Sequence, residues 1–347
     1  MRRKFWVMII AVPVVLVACE AVYWQITAER LRSGYQAWAA EQVAEGWGVE
    51  SAPPSIGGWP RTAVVTVPNL TLRHAGPTIP GDLNLASAGV NLSVSMLDPT
   101  TLGLSLTGPV HVRAAGLPDV IVTAQETVAS VPLQQTAPQS VALHARGLRL
   151  DSATGSWHMT VGLLNAQAEI AAAAPADQTH PSVRFSISSE AIALPAVVKW
   201  PLGTNISSLS ADGKMNGPLP DTQDVTRWAE AWRDGGGSLE ITHLAMGWGP
   251  LGLTSSATLA LDDQLQPMGS GNGRIVGYAA TLDKLAASGM LTRSAATAAK
   301  AVLSLMAGTS DANEPSSVDV PLTLQYRTLS MRQVPLLRLP EVDWPAR

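Results

Sequence analysis

Apolar side chains alternate with polar or small ones through most of this chain after Ala63. In one run, Val90, Leu92 and Val94 alternate with Asn91 and Ser93. Alternation with a period of two predicts β-strands with one buried face, and short connections favour antiparallel pairing. The sequence therefore predicts a mainly β (α+β) fold built from antiparallel amphipathic sheets. Similar runs begin near Leu102, Val110, Val141, Trp157, Val183, Leu239, Leu259 and Val318.

Turn-forming residues separate these runs, because Gly, Pro, Asp and Asn favour the backbone conformations of turns. The predicted turns lie at Asp98-Pro99, Gly108-Pro109, Asp212-Gly213 and Asp262-Asp263. The predicted loops, which are rich in polar residues and proline, lie at 134–140, 174–182 and 308–317.

Helical spacing replaces the alternation in a few segments. Trp24, Leu31, Tyr35 and Trp38 recur at intervals typical of one helix face. The other helical segments end at glycines, which are common helix terminators. The predicted organisation is a membrane anchor over 1–22, an amphipathic helix over 23–48 and a β-rich domain over 49–347, with helices near 221–233 and 280–307.

The N-terminus has the pattern of a membrane anchor. Basic residues at positions 2–4 precede an apolar run from Phe5 to Trp24 whose only charge is Glu20. About twenty helical residues span the roughly 30 Å hydrocarbon core of a bilayer. Positive charge stays on the cytoplasmic side, so the pattern predicts a single transmembrane helix with the body on the opposite side.

Cys19 leaves an alternative open. Residues 16–19, Leu-Val-Ala-Cys, resemble a bacterial lipobox, and Cys19 is the only cysteine of the chain. It is the candidate lipidation site under this alternative, which also places the body outside the cytoplasm. Lipoproteins usually continue with a polar tether, whereas here the helical pattern continues, so we favour the retained helix. A cleaved signal peptide is disfavoured because this segment is a poor match to a small-residue cleavage site.

Composition excludes several classes of protein. One cysteine rules out a disulfide scaffold, a Cys-ligated zinc module and an iron–sulfur protein. The net charge of −4 argues against nucleic-acid binding, which needs clustered Lys and Arg. The six histidines are scattered without metal-ligand spacing, and no nucleophile–base constellation occurs. We therefore expect no enzymatic activity, cofactor or metal.

Two glycine-rich stretches resemble nucleotide-binding loops only superficially. Gly247-Trp248-Gly249-Pro250-Leu251-Gly252 matches G-x-G-x-x-G, but Pro250 and an alternating strand follow where a dinucleotide loop needs a helix. It is predicted to be a tight turn between strands, with Gly247, Trp248 and Gly249 as a structural motif. Residues 269–273 are predicted to turn the chain from a strand towards the helix near Ala280.

A second structural motif is Gly57-Gly58-Trp59-Pro60. The paired glycines permit a sharp turn that would bring a large ring back onto the preceding helix. We expect Trp59 to be buried against the helix that carries Leu31 and Trp38.

The order of several short motifs resembles the bacterial family known as domain of unknown function 2125, found mostly in alphaproteobacteria. These motifs include Gly46-Trp47-Gly48-Val49, Gly57-Gly58-Trp59-Pro60, Met246-Gly247-Trp248-Gly249-Pro250 and Leu259-Ala260-Leu261-Asp262. The resemblance implies a location and an architecture, and no catalytic activity. More distantly, an anchor followed by amphipathic β-structure is similar to AsmA-like envelope proteins, which implies lipid handling or outer-envelope assembly.

The residues between the apolar strand positions are mostly small or polar, and few are charged. This pattern favours a sheet face that is covered by a helix, a partner or a lipid. A compositional bias towards small residues is the alternative explanation. We expect a single-pass inner-membrane protein whose periplasmic body binds envelope lipid or assists outer-envelope assembly. A structural or interaction scaffold for other envelope proteins is the alternative. The lipid hypothesis predicts a concave apolar surface open to solvent and lined by Leu, Val and Met from several strands.

Overall fold

The computed structural model describes residues 2–74, 82–114, 118–133, 140–171, 181–222, 224–307, 317–331 and 334–344. The helices are α1 (Arg2–Ala44), α2 (Val225–Asp234), α3 (Tyr278–Ala287) and α4 (Arg293–Met306). The strands are β1 (Gly48–Glu50), β2 (Ser55–Gly57), β3 (Thr62–His74), β4 (Leu83–Ser95), β5 (Thr101–Leu106), β6 (Val110–Ala114), β7 (Val120–Thr123), β8 (Glu126–Pro132), β9 (Ser140–Ser152), β10 (His158–Ile170), β11 (Pro181–Ala193), β12 (Asn205–Asn216), β13 (Ser238–Trp248), β14 (Leu251–Leu261), β15 (Pro267–Val276), β16 (Ser317–Gln325), β17 (Thr328–Met331) and β18 (Val334–Arg338).

The strands form one antiparallel sheet in which most pairings join strands that are close together along the chain. Both β1 and β2 pair with β3, and β3 pairs with β4. The short strands β5 and β6 both pair with β4, along different parts of its length. In the same way, the short strands β7 and β8 both pair with β9. From β9 to β18 the sheet continues as a simple meander, interrupted by α2 before β13 and by α3 and α4 before β16.

Helices cover the two ends of this sheet. At one end α1 packs on β1–β4, and its Tyr35 joins a core with Val65, Val67 and Leu92. At the other end α4 packs on β16, where Tyr278, Val318 and Val320 are buried. The two cores are far apart in the strand order, so the sheet connects them.

The strand register connects both cores through one row of directly opposed residues, which we call the apolar row. Directly opposed residues of an antiparallel pair project from the same face of a sheet. Both cores therefore lie on the same face. The apolar row, in order from β3 to β16, consists of Val65, Leu92, Leu104, Ala129, Leu143, Ala166, Ile187, Ala211, Leu244, Ser255, Gly273 and Val320.

The opposite face carries cross-strand polar pairs. His144 Nδ1 lies 2.7 Å from Asn165 Oδ1, and Thr66 donates to Asn91 at 2.8 Å. Ion pairs join Lys214 to Glu240 at 3.0 Å and Arg274 to Asp319 at 2.8 Å. The alternation read from the sequence thus separates an apolar face from a polar one.

The predicted fold class is confirmed, because the chain is mainly antiparallel β with a few packing helices. The turns at Asp98-Pro99, Gly108-Pro109 and Asp262-Asp263 lie between strands as predicted. A search of the described residues finds no helix that is both long enough and apolar enough to cross a membrane. The loops predicted at 134–140, 174–182 and 308–317 fall almost entirely outside the described residues.

Two local predictions are wrong. Asp212-Gly213 lies inside β12, beside a register irregularity with β13, and the ring of Phe185 occupies the space of the missing Cβ of Gly213. Residues 269–273 do not turn the chain but form the middle of β15. A Cβ at Gly271 would lie 2.4 Å from the carbonyl oxygen of Ser256, so glycine there serves close strand packing and not a turn.

Candidate functional site

An open groove of about 690 Å³ lies between α1 and the apolar face of the sheet, and we call it the α1 groove. Its helical wall comes from residues spaced three or four apart, which places them on one side of the helix. These residues are Tyr23, Ile26, Thr27, Arg30, Leu31, Gly34, Tyr35 and Trp38. At about 1.5 Å per residue, the groove follows the helix for about 22 Å.

The sheet wall of the α1 groove is aliphatic. Leu92 and Leu104, the second and third residues of the apolar row, belong to it. Together with the helical wall they make a concave, mostly apolar site of the size that small-molecule ligands occupy. The main sheet-wall residues are Val67, Val90, Leu92, Leu102, Leu104 and Val131.

Two hydrogen bonds fix α1 over the sheet. Trp24 Nε1 donates to the carbonyl oxygen of Thr62 at 2.9 Å, and the Tyr35 hydroxyl donates to Ser51 Oγ at 2.8 Å. Between them Ala28 is fully buried, so the helix approaches the sheet closely. Close approach along one line of the helix leaves the adjoining line, with Arg30 and Gly34, as the wall of the groove.

Arg30 is the only charged residue among the described residues that line the α1 groove. Its neighbour Arg32 is paired with Glu29 at 2.7 Å, whereas among the described residues no ion pair joins Arg30 to a carboxylate. Arg30 lies midway along the helical wall between Tyr23 and Trp38, so the middle of the groove carries this positive charge.

The turn from β4 to β5 borders the groove through Pro99. The preceding residue, Asp98, accepts hydrogen bonds from the Thr100 side chain and backbone and from Thr101 Oγ1. These hydrogen bonds, chiefly that from the Thr100 hydroxyl, lower the pKa of Asp98 below its ordinary value because they favour the ionised carboxylate.

The expected concave surface is present with two differences. Leu and Val contribute from four strands, but no methionine is among the described residues that line it, and α1 forms one wall. Arg30 and Gly34 were not predicted from the sequence to be site residues. Their signal was available in the spacing of positions 23, 27, 30, 34 and 38, which is that of one helix face.

The expectation for Trp59 is wrong. Its side chain is 53 % exposed and therefore not buried against the helix. Gly58 adopts a φ of 91°, and a Cβ there would clash with the carbonyl oxygen of Thr62, so the turn needs glycine. That turn directs the ring of Trp59 outwards with Pro60 following it, and Trp24 is the tryptophan that joins this turn to α1. Gly57 ends β2.

The other predicted site residues lie elsewhere. Gly247 and Trp248 end β13, and Gly249, with a φ of 57°, turns the chain into β14. The Trp248 indole donates to the carbonyl oxygen of Gly203 at 2.7 Å. Cys19 is an exposed residue of α1. The structure does not bring these residues together into one site.

A metal site has no support in the described ranges. No three His, Cys, Asp or Glu side chains there lie close enough together to hold a metal ion. The strand histidine His144 is occupied by its contact with Asn165 on the polar face.

A comparison with protein-family models matches residues 24–340 to DUF2125, described as an uncharacterized protein conserved in bacteria. The chain belongs to the DUF2125 family. The match starts at Trp24 and includes every lining residue of the α1 groove except Tyr23. Neither the curated proteins nor the solved structures contain a match to this chain.

Proposed function

We propose that this DUF2125 family member binds the acyl chain of an anionic amphiphile in the α1 groove. The observation that carries the proposal is the groove itself, an open cavity of about 690 Å³ with an aliphatic sheet wall, a helical wall that includes aromatic side chains, and one cation among its described lining residues. Aliphatic walls favour a hydrocarbon ligand because burying apolar surface is the main source of binding free energy at such sites.

The dimensions of the groove support one acyl chain as occupant. One leaflet of a bilayer contributes about half of the roughly 30 Å hydrocarbon core, or about 15 Å per chain. The α1 groove is about 22 Å long, from the rise per residue of its helical wall. An acyl chain of about 15 Å therefore fits inside it and leaves room for a headgroup. Arg30 supplies the charge that an anionic headgroup requires.

The experiment that tests this proposal narrows the groove without harming the fold. A Cβ added at Gly34 meets no atom within 4 Å, so Gly34→Leu places a side chain into open space. Leucine also stabilises a helix interior over glycine, by about 0.8 kcal/mol. With the full chain in lipid nanodiscs, we expect displacement of a fluorescent fatty acid by oleate to show at least about tenfold weaker binding for Gly34→Leu.

Ser33→Leu is the matched control, since Ser33 is the exposed neighbour of Gly34 on α1 and does not line the groove. It should bind oleate as the unmodified protein does. Equal binding by all three proteins, or no binding by any, would refute the proposal.

We further propose that α1 anchors the protein in the inner membrane, with the β-rich body in the periplasm. The sequence supports this through the basic residues at 2–4 and the apolar run from Phe5 to Trp24. A groove that begins at Tyr23 would then lie beside the bilayer surface, where amphiphiles are available.

A second candidate function is a scaffold for other envelope proteins. Trp59 is 53 % exposed, and Leu97, in the turn after β4, is almost fully exposed. The two turns are adjacent, since the Met96 backbone donates to the carbonyl oxygen of Arg61 at 2.9 Å. Exposed apolar side chains grouped in this way are typical of protein contacts. Loss of a co-purified protein in Trp59→Ala, with oleate binding unchanged, would favour this function.

A further inference from the structure

The α1 groove is not the end of the apolar surface. Leu92 and Leu104 line the groove and also belong to the apolar row, which continues strand by strand to Val320. Val320 is buried in the core beneath α3 and α4. Twelve strands at about 4.8 Å spacing make this path about 53 Å long. One uncharged surface therefore connects the two helical covers.

The middle of the row is only partly covered by the protein itself. Ile187, at its centre, is 42 % exposed, and Leu143, Ala166, Ala211 and Leu244 are half-buried. The described helices pack mainly on β1–β4 and on β14–β16, which leaves β8–β13 between them. Ile187, with the half-buried Leu143 and Leu244 beside it, leaves apolar surface in contact with water in the middle of this face, and an apolar occupant would remove that surface from water.

The side chains of this middle section alternate in size. The order is Ala129, Leu143, Ala166, Ile187, Ala211 and Leu244, so small and large residues follow each other across six strands. Low positions at each alanine, flanked by aliphatic ridges, form a corrugated surface. A flexible hydrocarbon chain can lie along such a surface without a fixed shape.

The chemistry of the row favours hydrocarbon over protein. Ser255 is the only one of the twelve residues with a polar side chain, and none is charged. Protein interfaces carry about one hydrogen bond per 100–200 Å² and a polar rim, for which this row has almost no side-chain donors. The opposite face holds the ion pairs Lys214–Glu240 and Arg274–Asp319, so the absence of charge is confined to one face.

We propose that the apolar row is a path along which the acyl chain bound in the α1 groove passes across the sheet to the α3–α4 end. The inference rests on the proposed function, because the occupant of the row is the same acyl chain. It adds transfer to binding: the protein moves an amphiphile between two positions about 53 Å apart along the sheet, at ~4.8 Å per strand.

Photo-crosslinking tests this path. The full chain in nanodiscs is illuminated with a fatty acid that carries a diazirine at its terminal carbon, and labelled residues are mapped by peptide mass spectrometry. We expect labels both in the α1 groove, around Leu92 and Leu104, and on the middle of the row, around Ile187 and Leu244.

The variant Ile187→Glu places a carboxylate on the row, and Ser188→Glu places one on the opposite face of the same strand. Because hydrocarbon against a charge is unfavourable, Ile187→Glu should reduce labelling of the row beyond Ile187 by at least about tenfold. Labelling of the groove should persist, and Ser188→Glu should label as the unmodified protein does. Circular dichroism shows whether Ile187→Glu folds. If it does not fold, Ile187→Gln replaces it in the experiment.

Each other outcome has a distinct meaning. Labels confined to the groove overturn the path and leave the proposed function standing, whereas labels nowhere overturn both. Labelling of the row that Ile187→Glu does not reduce also overturns the path. A dimer in sedimentation that Ile187→Glu dissociates would show that a second copy covers the row, and it would overturn the path as well.

Discussion

Arg30 is the residue on which the proposed specificity of the α1 groove depends, because it alone among the described lining residues is charged. The charge of Arg30 would add nothing to the binding of a neutral amphiphile. We predict that Arg30→Gln weakens oleate binding by about three- to tenfold, the range of a partly solvated charge-assisted hydrogen bond. Binding of oleyl alcohol should be unchanged. Fluorescent displacement in nanodiscs measures both.

Arg32→Gln is the control for that prediction, because Arg32 lies on the same helix and pairs with Glu29 outside the groove. It should leave both ligands unaffected. An equal loss of oleate and oleyl alcohol in Arg30→Gln would show that the arginine contributes packing through its methylene stem and not its charge.

The tryptophans differ in their contribution to stability. Trp232 is 5 % exposed, and its indole donates to the carbonyl oxygen of Asn216 at 3.0 Å. Trp232→Ala should therefore cost about 3–5 kcal/mol of unfolding free energy. Trp59 is 53 % exposed, so Trp59→Ala should cost at most about 1 kcal/mol. Urea unfolding monitored by circular dichroism compares them, and similar losses would contradict the exposed position of Trp59.

At the scale of elements, we expect the stability that the turn between β4 and β5 contributes to depend on pH. The lowered pKa of Asp98 means that its ionised form is more stable in the folded protein than in the unfolded chain. The stabilisation is fully present above the ordinary Asp pKa of about 3.9 and is lost as pH falls through the lower folded value. We predict that Asp98→Asn removes this part of the acid dependence.

Thermal unfolding of both proteins at neutral pH and below pH ~3.9 measures the difference. The unmodified protein should lose more stability on acidification than Asp98→Asn. Asp263 lies in another turn, after β14, and Asp263→Asn is the control, which should lose as much stability on acidification as the unmodified protein. Identical acid dependence of all three proteins would contradict the prediction.

Strands, turns and helices were largely accessible from sequence, because a period of two or 3.6 is a local property. The alternation at Val90, Leu92 and Val94 needs no knowledge of distant residues. The errors arose where tertiary contacts decide. Gly271 resembles a turn residue until the close approach of Ser256 is known. The direction of Trp59 depends on a turn whose φ angles the sequence does not specify.

At the scale of the whole molecule, the apolar row was beyond sequence analysis. Whether Val65 and Val320 lie on one face depends on eleven successive pairings between them. A shift of one residue in any pairing reverses the face of every strand after it. The groove is likewise a product of register and helix placement, so only its existence, as a concave apolar surface, was predictable.

The proposed position of the molecule relative to a membrane rests on the apolar run from Phe5 to Trp24, and Cys19 makes it testable. Cys19 is the only cysteine, so Cys19→Ala removes the candidate lipidation site and gives a cysteine-free chain. We predict that Cys19→Ala stays in the membrane fraction at full length, since an apolar helix needs no lipid to remain inserted. Fractionation of bacterial cells followed by intact mass analysis measures both properties.

A cysteine added to the cysteine-free chain reports the side of the body. Val197 is 66 % exposed between β11 and β12, so Val197→Cys presents a thiol to solvent with little effect on packing. With the body in the periplasm, a maleimide that crosses only the outer membrane should label this thiol in whole cells. A cysteine at Arg3, on the basic side of the apolar run, should react only after lysis, because positive charge holds that end in the cytoplasm.

Each experiment has an outcome that would contradict its prediction. Release of Cys19→Ala into the soluble periplasmic fraction, or its accumulation as an unprocessed precursor, would establish the lipoprotein alternative. Labelling of position 3 in whole cells would reverse the proposed orientation.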